Sequence, residues 1–144
     1  MNQLTFILTA TLMTVLCLGL QAGVGVYAVQ LARKLVLRAG VHDSDSPIRR
    51  FWAIAFVMLL LTLGNFLQII VWAALYLYLG EFERFNDAFY FSGVTFTSLG
   101  YGDITLSEAH RGLSPVQAAN GLMMFGVSTA ILFAVIQNQR HGDH

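Results

Sequence analysis

Three apolar stretches, roughly 4–32, 51–79 and 115–136, set the terms for any fold this chain adopts. About 20 residues rising about 1.5 Å each cross a hydrocarbon core, so every stretch is long enough to span, and the first two have room to tilt. None shows the strict alternation of a barrel strand, and three spans cannot close a barrel. Composition agrees: 56% of the 144 residues are hydrophobic and only 11% are charged, against roughly a quarter charged in soluble domains. The expected class is an all-α membrane protein. Met1-Asn2-Gln3 lacks the basic start of a secretory signal, and the apolar run behind it exceeds a signal's usual core of about 7–15 residues, so a retained helix is expected. Cys17 is the only cysteine; it forms no intrachain disulfide and reads as a small lipid-facing or packing residue.

Two spans carry start signals. Ser46-Pro47 precedes the second, a cap-type residue followed by proline at the first helical position. Ser114-Pro115-Val116-Gln117 precedes the third and also fits a capping box. The basic residues set an orientation. Arg33, Lys34, Arg38, Arg49 and Arg50 lie in the first link and Arg140 follows the last span, while the other side receives only Arg84 and Arg111. The richer side is expected to be cytoplasmic, with the N-terminus outside and the C-terminus inside. Glu81, Glu83, Asp87, Asp103 and Glu108 then gather on the outer side.

That outer link holds an apolar piece, 85–97, too short to cross and suited to a re-entrant helix. Asn86-Asp87 suit its N-terminus, and its C-terminus would carry partial negative charge toward mid-membrane, where it attracts cations. Behind it comes Thr97-Ser98-Leu99-Gly100-Tyr101-Gly102-Asp103. Consecutive carbonyls aimed at one axis require alternating right- and left-handed backbone, which glycine adopts at little cost. Gly100 and Gly102, spaced by two, fit that alternation. Such a ring of carbonyls replaces the water shell of a dehydrated cation. Tyr101 is expected to brace the loop against Phe89, Tyr90 and Phe91, Ser98 to add a hydroxyl at the inner end, and Asp103 to set a carboxylate at the outer mouth.

The run from Phe89 through Asp103 resembles the pore helix and selectivity filter of potassium channels, whose common form is Thr-Val-Gly-Tyr-Gly-Asp. It looks most like the prokaryotic potassium-channel pore-domain family labelled two-pore-domain-like, with one pore loop per chain. The resemblance implies three transmembrane helices plus a re-entrant pore helix and filter loop in tetrameric pore architecture. It lays the chain out as a peripheral helix 1–36, a cytoplasmic linker 37–50, a pore domain 51–138 and a tail 139–144. The pore domain divides into outer helix 51–79, pore helix 86–97, filter 98–103 and inner helix 115–138. It also implies that carbonyls of Ser98, Leu99, Gly100 and Tyr101, with the Ser98 hydroxyl and Gly102, hold K+, supported by Thr97 and Asp103. Serine and leucine depart from the common threonine and valine, and Val94 stands where some relatives carry a glutamate that braces the filter aspartate. One filter strand cannot encircle an ion, so a homotetramer in lipid, in the inner membrane of a prokaryotic cell, is expected. K+ is the permeant ion, with no other cofactor and no nucleic-acid partner.

In the third span Gly126 and Gly121 are either gating hinges or close-packing positions, and Ser128 and Thr129 either face a cavity or bond back to their own helix. Gly19 and Gly23 in the first span mark a contact, to another subunit or to the second span. Asn65 and Gln68 are expensive in lipid and should bond across helices. His42-Asp43-Ser44-Asp45-Ser46 reads as a solvated turn rather than a metal motif, and His141 and His144 as tail residues. No nucleophile–base pair, phosphate loop or arginine series for voltage sensing is present, so an enzyme is not expected. The rivals to a potassium pore are a nonselective cation channel of the same fold and a non-conducting membrane scaffold.

Overall fold

The computed structural model of the chain describes residues 2–37 and 47–140. Its elements are helices alone: α1 (Gln3–Leu37), α2 (Pro47–Tyr78), α3 (Phe85–Phe96) and α4 (Leu113–Arg140). Three of them are long and apolar enough to cross a membrane, over Gln3–Ala32, Phe51–Tyr78 and Leu113–Gln137. This is a membrane protein. The Arg38 position, the His42–Ser46 turn and the two tail histidines lie outside the described residues.

The helices overrun the expected bounds at several ends. α2 starts at Pro47, so 47–50 of the expected linker are helical, and α4 extends to Arg140. α4 also begins two positions before Pro115, after a turn in which Leu113 and Ser114 donate backbone bonds to His110 and Arg111. Pro115 is tolerated there because first-turn N–H groups have no helical acceptor. The expected capping box does not form: Gln117 is fully buried and its side chain bonds to α2 and α3.

Two apolar clusters show how the spans run. At one end Met13 and Cys17 of α1 meet Trp72 and Tyr76 of α2, Phe91 of α3 and Leu113 of α4. At the other, Ala28 and Ala32 of α1 meet Val57 and Leu61 of α2 and Val135 of α4. The starts of α1 and α4 therefore share an end with the close of α2, making α1 and α4 parallel and α2 antiparallel to both. A third cluster, Ile69, Phe96 and Met124 with Phe89 against it, seats the end of α3 near the middle of α4. α3 enters beside the first cluster and stops at mid-span depth.

Candidate functional site

α3 starts from Arg84, whose backbone is extended and whose side chain makes no cap bond. The expected caps Asn86 and Asp87 fall inside the first turn, where Asp87 accepts from Arg84 Nε at 2.9 Å and Nη2 at 3.2 Å. A carboxylate in that turn complements the helix dipole.

The other end is closed by backbone. Ser98 N–H donates to Thr95 O at 3.0 Å and Leu99 N–H to Val94 O at 3.0 Å, the paired bonds of a Schellman cap. The residue after the cap must then be left-handed, and glycine usually fills it. Here it is Ser98, with φ 59°, the one non-glycine at positive φ among the described residues. Gly100 follows at φ 54° and Gly102 at φ 75°, so left-handed backbone recurs at every second position across the loop. The glycine spacing anticipates two of these positions; the serine is strained backbone that sequence reasoning missed, and such strain collects at functional sites.

Ser98 through Asp103 are all exposed in the single chain, Leu99 at 59% and Tyr101 at 67%. Tyr101 is thus not buried against α3 of its own chain. The α3 aromatics are engaged elsewhere, Phe91 edge-on to Tyr76 and Phe89 stacked on Phe85. Tyr90 does support the loop, its hydroxyl donating to Asp103 Oδ2 at 2.7 Å, and this bond to a carboxylate raises the phenol above its ordinary pKa. The aspartate therefore has a brace although Val94 offers none. Between α3, the loop and the start of α4 lies a cavity of about 630 Å³, bordered by Tyr90, Thr95, Asp103, Glu108 and Arg111 among others.

Three contacts hold the loop's surroundings. Gln117 of α4 donates to Ser92 Oγ at 2.7 Å and Ser92 O at 3.1 Å, and accepts from Tyr76 at 2.7 Å, joining α2, α3 and α4 around one buried amide. Gly121 lies so near the close of α3 that an added Cβ would clash with Phe96 O. Beyond the loop, Glu81 accepts from Ser107 N–H at 2.7 Å and Ser107 Oγ at 2.6 Å, and His110 Nδ1 lies 2.5 Å from it. Burial alone would raise the Glu81 carboxyl, but the bonds from Ser107 and His110 outweigh it and hold the group below its usual range. Nothing local in sequence marks Glu81 and His110 as partners, since they stand far apart in the chain.

The third-span alternatives are decided in part. Ser128 Oγ bonds back to Met124 O at 2.8 Å and Thr129 Oγ1 to Phe125 O at 2.9 Å. Gly121 is a close-packing position, whereas a Cβ on Gly126 would meet nothing within 4 Å. Gly19 and Gly23 likewise meet nothing within 4 Å, so the expected contact to the second span is not made there. Gln68 does bond across helices, to Gln21 of α1.

Three candidate spans, with a half-length helix ending at mid-span in a left-handed loop, define a membrane protein built around a re-entrant element. Residues 65–138, over half of the chain, match the ion channel family, and the chain belongs to it. The match takes in α2 from Asn65 to Tyr78, all of α3 and the loop, and α4 to Asn138, and leaves out α1. No curated protein and no solved structure matches the chain.

Proposed function

We propose that four copies of this chain surround a potassium-selective pore, with the Thr97–Asp103 loop as the filter, α3 as the pore helix, α2 as the outer helix and α4 as the inner helix. The observation that carries this is an exposed backbone at mid-span depth. Phe96 packs against Met124, near the middle of the Leu113–Gln137 span, and the residues just beyond it are exposed. Irregular backbone at that depth is tolerated only when buried in protein or lining water, because lipid satisfies no peptide group. Further copies around a water-filled axis meet both conditions. The α3 C-terminus then directs its negative end at the axis, and the alternating hand at Ser98, Gly100 and Gly102 suits carbonyls turned one way. K+ is held by carbonyls of Ser98, Leu99, Gly100 and Tyr101 and by the Ser98 hydroxyl, with Asp103 and its Tyr90 brace at the outer mouth. The charge asymmetry puts that mouth outside the cell and both α1–α2 link and C-terminus in the cytoplasm; the resemblance favours a prokaryotic inner membrane.

The test is flux from liposomes carrying the purified chain. Potassium or rubidium should pass well ahead of sodium, and Gly100→Ala should abolish flux while leaving the tetramer intact. Equal sodium and potassium fluxes would sink the selectivity, and no flux from the wild type would sink the pore.

A further inference from the structure

α1 lies outside the family match, yet it grips α4 on the far side of Gly126. Gln21 is only 1% exposed within an apolar helix. A primary amide buried in hydrocarbon costs several kcal/mol unless it is bonded, and this one is bonded at both ends. Its Oε1 accepts from Gln68 Nε2 of α2 at 2.7 Å, and its Nε2 donates to Ser128 Oγ of α4 at 2.7 Å. Ser128 Oγ passes the chain on to Met124 O at 2.8 Å. The donors thus run in one direction, from α2 through α1 into the turn of α4 that contains Gly126.

That turn is made to bend. Hydroxyls bonding back to the carbonyl four residues earlier loosen and bend helices, and here two successive carbonyls, Met124 and Phe125, accept such bonds. Gly126, between these carbonyls and the hydroxyls of Ser128 and Thr129, would bring an added Cβ against nothing within 4 Å. Above the turn α4 is fixed to α3 through Gly121 and Met124. Below it, Ile131 approaches α1 so closely that a Cβ on Gly25 would lie 2.5 Å from Ile131 Cδ1, and Val135 packs with Ala28 and Ala32. The lower part of α4 therefore travels with α1. Ala28, Ala32, Met13 and Cys17 also pack α1 against its neighbours, so the amide is not its sole hold and adds a fixed position.

We infer that α1 is a gating brace: its Gln21 latches the inner helix at Ser128, and forming or breaking that contact shifts pore opening without changing ion choice. Gln21 is a positioning residue, since it touches no ion. The inference rests on the pore reading above.

Single-channel recording of the full chain in planar bilayers tests it with Gln21→Met, Ser128→Ala and the double variant. A buried hydrogen bond of ordinary net strength sets the expected scale, about a tenfold shift in the ratio of open to closed time. Both single variants should shift the ratio that far in the same direction, and the double variant no further, with unitary conductance and the potassium-to-sodium permeability ratio unchanged. Gln68→Met removes the other half of the amide's bonding and leaves the latch, so its open-to-closed ratio should stay within about twofold of the wild type. Ser128→Ala keeps the Gln21–Gln68 bond and supports the test if Gln21→Met fails to fold. Ratios within twofold of wild type for Ser128→Ala, strictly additive shifts, or a permeability ratio that moves with gating would each overturn the latch while leaving the pore standing. Silent wild-type bilayers would overturn the pore and the latch with it.

Discussion

The two halves of α4 are held by different chemistry. Next to α3, contact is close and directional: Gly121 lets Phe96 O approach, Gln117 bonds to two neighbouring helices, and Phe125 stacks edge-on against Phe96. Toward the far end, contact is mostly aliphatic, with Ile131, Leu132 and Val135 against α1 and α2, and the Gln21–Ser128 bond as its directional element. The first half ties α4 to α3 and so positions the loop; the second packs α4 against α1 and α2 through side chains that impose little direction. Between them sits Gly126. On the proposed pore reading, the end of α3 needs rigid support and α4 a place to yield, and these demands fall on different stretches of one helix.

The sharpest way to break this comparison is Gly121→Ala. Its Cβ would meet a backbone carbonyl, which cannot rotate away, so a loss of about 3 kcal/mol or more is expected; thermal unfolding in detergent is the check, and a stable variant would mean the first half is not close-packed. Gln117→Leu should follow at about 1–3 kcal/mol, because it leaves the buried Tyr76 hydroxyl without its acceptor, while Ser92 keeps its bond to Ile69 O. Chemical denaturation would measure that difference. In the second half, Gly25→Ala meets only the tip of a flexible Ile131 side chain, and an unfolding cost near 1 kcal/mol is expected. Gly126→Ala should do the reverse and stabilise by about 0.5–1 kcal/mol, as glycine-to-alanine does in an open helix position, while slowing flux if this turn must bend. Destabilisation there would show hidden packing and remove the contrast.

The smallest effect concerns pH, outside the spans. A carboxyl whose folded pKa is lowered contributes stability that is complete above the unfolded value and lost as pH falls through the folded one. The Glu81 contacts with Ser107 and His110 should thus persist down through the ordinary carboxylate range and loosen only below it. Proteolytic sensitivity of residues 104–112 across an acid series would check this, with Glu81→Gln losing the dependence.

Much of this was legible in the chain because the relevant signals are local. The spans follow from run length, and Gly100 and Gly102 announce left-handed backbone by lacking a side chain. Ser98 gave no such sign: its left-handed φ follows from the cap that ends α3, which depends on where Phe96 stops. Ser114 and Gln117 illustrate a local signal overridden. Their spacing suits a capping box, but an amide buried among three helices gains more from Tyr76 and Ser92 than from its own helix end.

What the sequence by itself determined was the membrane class, the three spans and the short helix with its paired glycines, since length, hydropathy and backbone preference need no partner. Tertiary structure alone decided which glycine of α4 is packed and which is free, which amide joins α1 to α4, and which tyrosine supports Asp103. The physical reason is distance along the chain. Gly121 meets Phe96, Gln21 meets Ser128 and Tyr90 meets Asp103 only after the helices have docked, and no periodicity in the sequence records which faces will meet.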